Sequence, residues 1–153
     1  MKQWLEESPK RFVRETSNFD VATLLIQHEN NPYNLTPSYQ RGLVWSVKQK
    51  EELICSIVEW LPINAIFLNE RSEDEPIEVV DGKQRLTTIF DFCNDRFTWR
   101  GYLFSELPDK YKAIIKSFKI AIYLTRYKTE EECEKLFKRI NFTGTPHERR
   151  ETM

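Results

Sequence analysis

The sequence predicts an α+β domain in which a small mixed sheet is flanked by helices. Residues 118–124 have apolar side chains at every even-numbered position, which is typical of a half-buried strand. Residues 77–80 form a second β-rich run, and Asp81-Gly82 after it is a tight-turn signal. From Lys83 onward the apolar residues recur at three- and four-residue spacing, the period of a helix face. This strand–turn–helix unit is the centre of the predicted fold.

The remaining elements follow from the same patterns and from capping residues. Ser46 is a good N-cap, Thr129 and Glu132 form a capping box, and Pro108 suits the first helical position. Ser17 or Asn18 is the expected cap of the first helix. The predicted helices are 18–29, 46–60, 108–116 and 129–140, and the further predicted extended segments are 33–35, 63–68, 97–99 and 102–104. Residues 1–17 are predicted to be a polar arm with little regular structure, and residues 18–153 a single domain.

The composition favours a globular protein and argues against disordered, membrane-spanning and disulfide-rich classes. Charged residues make up 31% of the chain and only 4 of its 153 residues are glycine, which is typical of a globular rather than a disordered protein. The net charge of −1 provides no overall basic field, so binding to DNA would need a local patch. No apolar run approaches the length of a membrane span. The 3 cysteines are far apart, which argues against a disulfide framework or a zinc site and favours the cytoplasm.

The turn at residues 81–85 is a candidate anion site. Backbone N–H groups at the start of a helix have no partner within the helix, and the positive end of the helix dipole lies there. Gly82 would let the backbone approach a phosphate closely, and Lys83 and Arg85 would add positive charge. A strand–Asp-Gly–helix junction is more often a structural turn, however, and on this pattern alone that interpretation is the more frequent one.

Two further motifs accompany this turn. Tyr39-Gln40-Arg41 lies on a predicted loop shortly before Trp45, and residues 137–146 read Phe-Lys-Arg-Ile-Asn-Phe-Thr-Gly-Thr-Pro. In this order and spacing the three motifs resemble the N-terminal domain of GmrSD-type type IV restriction enzymes. That family carries Tyr-Gln-Arg and Asp-Gly-Gln-Gln-Arg motifs on a ParB/sulfiredoxin-like fold. The resemblance covers the chain from about residue 19 to its end.

The sequence departs from the family pattern in four respects. Lys83 replaces the first glutamine of the Asp-Gly-Gln-Gln-Arg motif, which keeps a hydrogen-bond donor and adds charge. The chain ends soon after the third motif, where family members continue with more helices. A His-Asn-His nuclease domain is not expected, because His28 and His147 are the only histidines and neither has suitable neighbours. The segment after Pro146 is more charged than usual.

The resemblance implies a domain that binds and hydrolyses a nucleotide (GTP, ATP or CTP, with Mg²⁺) and so licenses DNA cleavage by an attached nuclease in a bacterial or phage-infected cell. By that resemblance Asp81 would hold Mg²⁺ or orient a water, Gln84 would position the attacking water, and Arg85 would clamp the phosphates. These three are the predicted catalytic residues. The predicted nucleotide-binding residues are Tyr39, Gln40, Arg41, Gly82, Lys83, Thr87, Asn141 and Thr143.

Two other functions remain open from the sequence. One is a non-catalytic interaction module or inhibitor that acts on a partner defence nuclease. The other is a ParB-like DNA-binding protein, although the near-zero net charge argues against tight binding through phosphate contacts alone. A sulfiredoxin-like reductase is disfavoured, because the turn from Asp81 to Arg85 contains no cysteine to supply a thiolate.

Overall fold

The structure is a computed structural model that describes residues 15–40 and 44–143, with side chains up to residue 141. In chain order the elements are β1 (Glu15–Asp20), α1 (Val21–Asn30), α2 (Val47–Val58), β2 (Ile66–Asn69), β3 (Glu78–Asp81), α3 (Lys83–Cys93), α4 (Asp109–Ser117), β4 (Lys119–Thr125) and α5 (Glu130–Thr143). A 3-10 turn covers Phe104–Glu106. The predicted α+β class is confirmed. None of the helices in these ranges is long and apolar enough to span a membrane.

The four strands form one mixed sheet in the order β1-β4-β2-β3. β4 lies in its interior, antiparallel to β1 and parallel to β2, and β2 and β3 form an antiparallel hairpin. The interior position of β4 explains the regular apolar alternation that predicts it from sequence, because its alternate side chains are buried by the helices that cover one face.

The two faces of the sheet have separate cores. Successive side chains of a strand point to opposite faces, so Val79 and Val80 of β3 enter different clusters. Val79 belongs to the larger core, which also takes in buried residues of α1, α2, α3 and α4. Val80 belongs to a smaller cluster with Tyr39 and with Cys133 and Leu136 of α5. The β3–α3 turn therefore lies at the edge of the sheet, between α5 on one face and α3 on the other.

β3 contains an irregularity just before this turn. Phe67 pairs with Asp81 and Leu68 pairs with Val79, so Val80 has no counterpart on β2. An extra residue of this kind is a β-bulge, which bends a strand and leaves backbone groups without ladder partners. The bulge therefore creates polar backbone atoms at the edge of the sheet that other groups must satisfy.

The predicted N-terminal boundary is wrong by a few residues. Glu15–Asp20 is a strand paired with β4, although residues 15–17 look like part of a polar arm. The first helix accordingly begins at Val21, and its cap is Asp20, whose Oδ1 accepts a hydrogen bond from Thr23 N at 2.7 Å. A polar edge strand carries little local signal, because its partner strand lies about a hundred residues away along the chain. Residues 1–14 of the predicted arm lie outside the described residues.

Smaller differences concern short elements and element ends. The extended segments predicted around residues 34 and 99–102 are reduced to isolated bridges, Asn34 with Glu78 and Trp99 with Tyr102. β2 begins at Ile66 rather than at residue 63, because Ile66 is the first residue that pairs with β4, opposite Ile122. α5 continues to Thr143, three residues beyond the predicted end of this helix at residue 140.

Candidate anion site at the start of α3

The turn between β3 and α3 is built around Gly82. This residue has φ +108°, in the left-handed region, and occupies the N-cap position of α3 without a side-chain cap. A Cβ at this position would collide with the Ile66 side chain of β2. Only glycine therefore suits the turn, and the first N–H groups of α3 have no side chain of a capping residue bonded to them.

The Arg85 side chain is held inside this turn. Its side chain is only 8% exposed, and its Nη2 donates to Asp81 Oδ2 at 3.2 Å and to the Ala65 carbonyl at 3.3 Å. The same nitrogen lies 3.3 Å from where a Cβ on Gly82 would be. The guanidinium is thus fixed beside the backbone of the turn, and Asp81 is the residue that orients it.

Gln84 connects the first turn of α3 to the segment that precedes α2. Its Oε1 accepts a hydrogen bond from Trp45 N at 3.2 Å. Trp45 is partly buried and packs against the larger core. Ser46 caps α2 as predicted, in a reciprocal capping box with Gln49.

Gln40 has a structural role at the bulge. Its Nε2 donates to the carbonyls of Val79 and Val80 at 2.9 and 2.6 Å, which satisfies backbone oxygens in the irregular part of β3. Tyr39 beside it is 93% buried and packs against Phe137 of α5, with the ring centroids 5.9 Å apart. In the structure, Gln40 therefore stabilises the end of β3, and Tyr39 packs between this strand and α5.

Hydrogen bonds join the segment that contains Tyr39 and Gln40 to the β3–α3 unit. Gln40 is bonded to the end of β3 and Trp45 to the start of α3, so both ends of the 40–45 segment are attached to the strand–turn–helix unit. Arg41, the basic residue of the Tyr-Gln-Arg motif, lies outside the described residues.

Three other predicted binding residues, Thr87, Asn141 and Thr143, have no described side-chain contact with the turn at Gly82. Asn141 uses its Nδ2 to donate to the Phe137 carbonyl of its own helix at 2.8 Å. The side chain of Thr143 lies outside the described part. Thr87 is half-buried on α3, four residues after Lys83. α5, which carries the start of the 137–146 motif, packs against Val80 of β3. The described contacts do not include one between Asn141 and the β3–α3 turn.

Comparison with known protein families identifies the chain. A family model described as the N-terminal domain of the GmrSD restriction endonuclease matches residues 21–153. The chain belongs to this family. No curated protein and no solved structure gave a match.

This GmrSD N-terminal domain also contains a buried polar cluster that sequence reasoning missed. The carboxylate of Glu78 on β3 is only 4% exposed as a residue and accepts hydrogen bonds from Arg71 at 2.9 and 3.2 Å, Asn69 at 2.9 Å and the Cys133 thiol at 3.1 Å. We call these four residues the Glu78 cluster. It connects β2, β3, the hairpin loop and α5. The sequence feature that could have indicated this cluster is a single glutamate, Glu78, within the otherwise apolar run 77–80.

The electrostatics of the Glu78 cluster follow from burial and hydrogen bonding. Burial by itself raises the pKa of Glu78, but the hydrogen bonds from Arg71, Cys133 and Asn69 outweigh it and leave the pKa below its usual value. Burial, together with the neighbouring carboxylate, raises the pKa of Cys133 to about 12. Burial and the Glu78 charge likewise raise the pKa of Tyr39. The carboxylate is therefore charged, and the thiol and phenol are neutral, near pH 7.

The described part of the GmrSD domain has one carboxylate at the turn and a cavity elsewhere. Across the described ranges, no group of three or more His, Cys, Asp or Glu side chains converges on one point. Asp81 is one carboxylate already paired with Arg85, so it would fit Mg²⁺ only as a ligand shared with the phosphates of a bound nucleotide. A hollow of about 400 Å³ between α1 and the β1 side of the sheet contains none of the predicted site residues.

Proposed function

We propose that this domain binds a nucleoside triphosphate at the start of α3 and hydrolyses it, as a regulatory unit of a restriction system and not as a nuclease. One observation carries the proposal. The N-terminus of α3 has no side-chain cap at Gly82, and a buried arginine is fixed beside it. Backbone N–H groups, a helix dipole and a guanidinium together form a setting that favours phosphate oxygens.

Each residue of the turn has a definite role in this proposal. The α3 N–H groups would bind phosphate oxygens, and Lys83 would add charge at the first helical position. Arg85, oriented by Asp81, would neutralise charge that develops on the transferred phosphoryl group. Mg²⁺ would enter with the nucleotide, held by its phosphates and Asp81, and would supply further charge neutralisation.

For hydrolysis, Gln84 would also have to orient the attacking water. Its Oε1 is bonded to Trp45 N, so an attacking water would be oriented by its amide nitrogen while the oxygen keeps its structural bond. The same contact, together with the Asp81–Arg85 pair, favours a second candidate function, nucleotide binding without turnover in an interaction module. DNA or a nuclease is the partner that either version would regulate.

Nucleotide binding is tested by thermal unfolding with GTP, ATP and CTP, each with Mg²⁺. At a ligand concentration of about 100 times Kd, we expect a rise in Tm of about 5–10 °C for the preferred nucleotide. Arg85→Ala should abolish the rise, and Arg85→Lys should retain a smaller one. Arg96→Ala is the control, because Arg96 is 70% exposed and its ion-pair partner among the described residues is the partly exposed carboxylate of Asp91. A wild-type Tm that no nucleotide changes would contradict the proposal.

Turnover is tested by phosphate release, measured with and without double-stranded DNA. We expect release by the wild type and a loss of about a hundredfold or more in Asp81→Asn, which keeps the shape of the side chain but removes the charge that orients Arg85. Circular dichroism would show whether this variant is folded. Nucleotide binding without phosphate release under either condition would establish the non-catalytic candidate.

A further inference from the structure

Two buried polar atoms near the start of α3 have no hydrogen-bond partner. They are the indole nitrogen of Trp45 and the hydroxyl of Thr87. Folded proteins pair nearly all of their buried polar atoms, and each unpaired one reduces stability. Two such atoms close to one functional site therefore need an explanation.

Both residues are neighbours of Gln84, which lies in the first turn of α3. Thr87 follows Lys83 by four residues and Gln84 by three, spacings that place side chains on one face of a helix. Gln84 in turn holds Trp45 through the backbone N–H at 3.2 Å. Gln84 therefore links the two residues that carry the unpaired atoms, Thr87 through helical spacing and Trp45 through a backbone hydrogen bond.

The chemistry of the two groups indicates what would complete them. An indole N–H can only donate a hydrogen bond, and a threonine hydroxyl can donate or accept. A ligand that satisfies both must therefore present acceptor atoms. An apolar residue of similar shape at position 87 would avoid the cost of an unpaired hydroxyl, so the hydroxyl has no structural benefit in the unliganded protein.

We propose that Trp45 and Thr87 bind the nucleoside part of the nucleotide, through acceptor atoms of its base or ribose. The inference rests on the proposed function, in which the phosphates lie at Gly82. Thr87 is about 6 Å further along the helix axis than Lys83, since each residue of a helix adds about 1.5 Å. This distance along the helix matches a nucleotide whose phosphates bind at Gly82 and whose ribose or base lies beside Thr87.

The first test uses the wild-type chain, labelled with ¹⁵N. Its 4 tryptophans give four indole N–H signals, and the spectrum of Trp45→Phe assigns the one from Trp45. On addition of a non-hydrolysable GTP, ATP or CTP analogue with Mg²⁺, the Trp45 indole proton should shift downfield and exchange more slowly with water. The Trp99 indole, which already donates to Cys55 Sγ at 3.2 Å, is the internal control and should not move.

The second test compares the same substitution at two sites. Thr87→Val should weaken nucleotide binding about three- to tenfold, the effect of one lost hydrogen bond, while the Tm of the unliganded protein stays the same or rises. Thr125→Val is the matched control, because the Thr125 hydroxyl is buried and bonded to the Leu68 carbonyl and to Asn69 Oδ1, at 3.0 and 2.8 Å. It should lower the Tm without changing the nucleotide Kd.

The outcomes separate this inference from the proposed function. If the wild type binds nucleotide but the Trp45 signal does not move and Thr87→Val binds equally well, the inference is wrong and the proposed function stands. If the wild type binds none of the three nucleotides, both are wrong. A lower Tm of unliganded Thr87→Val would also overturn the inference, because it would show that the hydroxyl stabilises the fold.

Discussion

Glu78→Ala is expected to lower the free energy of unfolding by about 3–5 kcal/mol, the usual cost of removing one partner of a buried charge pair. The Glu78 carboxylate receives hydrogen bonds from Arg71, Asn69 and Cys133, and the Arg71 side chain is only 25% exposed. Removing this carboxylate leaves the largely buried Arg71 guanidinium and the Cys133 thiol without their acceptor. Asn69 Nδ2 keeps its bond to the Tyr127 carbonyl at 3.1 Å. Urea denaturation followed by circular dichroism would measure the loss.

Glu75→Ala is the matched control for this prediction. Glu75 lies in the same β2–β3 connection but is exposed, so its removal should change stability by about 0.5 kcal/mol or less. A loss for Glu78→Ala of about 1 kcal/mol or less would show that the cluster contributes little to stability.

The same cluster predicts how stability depends on pH. The pKa of Glu78 in the folded protein lies below its ordinary value of 4.5, so this carboxylate stabilises the fold above that value. The contribution is lost as the pH falls through the lower, folded-state pKa. Between about pH 5 and the acid transition, the stability of Glu78→Ala should therefore decline less steeply than that of the wild type. Parallel curves for the two proteins would contradict this assignment.

Gly82→Ala is expected to lower the free energy of unfolding by about 2–4 kcal/mol. Two costs combine, since a residue with a Cβ is strained at φ +108° and the added methyl would collide with Ile66 of β2. Because the same turn forms the proposed phosphate site, nucleotide binding should weaken as well. Denaturant unfolding and nucleotide-dependent Tm shifts measure the two effects separately.

Gly101→Ala separates the two costs at Gly82. Gly101 also has a positive φ, +84°, but a Cβ there would meet no atom within 4 Å. Only the conformational cost applies, and the expected loss is about 1 kcal/mol. Equal losses at positions 82 and 101 would mean that the contact with Ile66 is relieved at no cost.

Local patterns in the sequence determined much of the fold and pointed to the candidate site. The alternation of residues 118–124 predicted β4, the apolar spacing after Lys83 predicted α3, and Ser46 and Thr129 predicted the starts of α2 and α5. These features are readable because strand alternation, helix period and capping depend on residues close together in the chain. The motif resemblance then indicated that the 39–45 segment and the α3 turn lie together, and their hydrogen bonds agree with this.

The roles of individual side chains were decided by the tertiary structure. Gln40 is a predicted nucleotide-binding residue, and the structure adds that its amide bonds to a bulge whose existence depends on how β3 pairs with β2. Glu78 had no role assigned from the sequence, and its contacts with Asn69, Arg71 and Cys133 make it a buried, hydrogen-bonded charge. The strand Glu15–Asp20 was missed because it depends on β4. Each of these depends on contacts between residues that are not adjacent in the chain, and only folding defines which groups become neighbours.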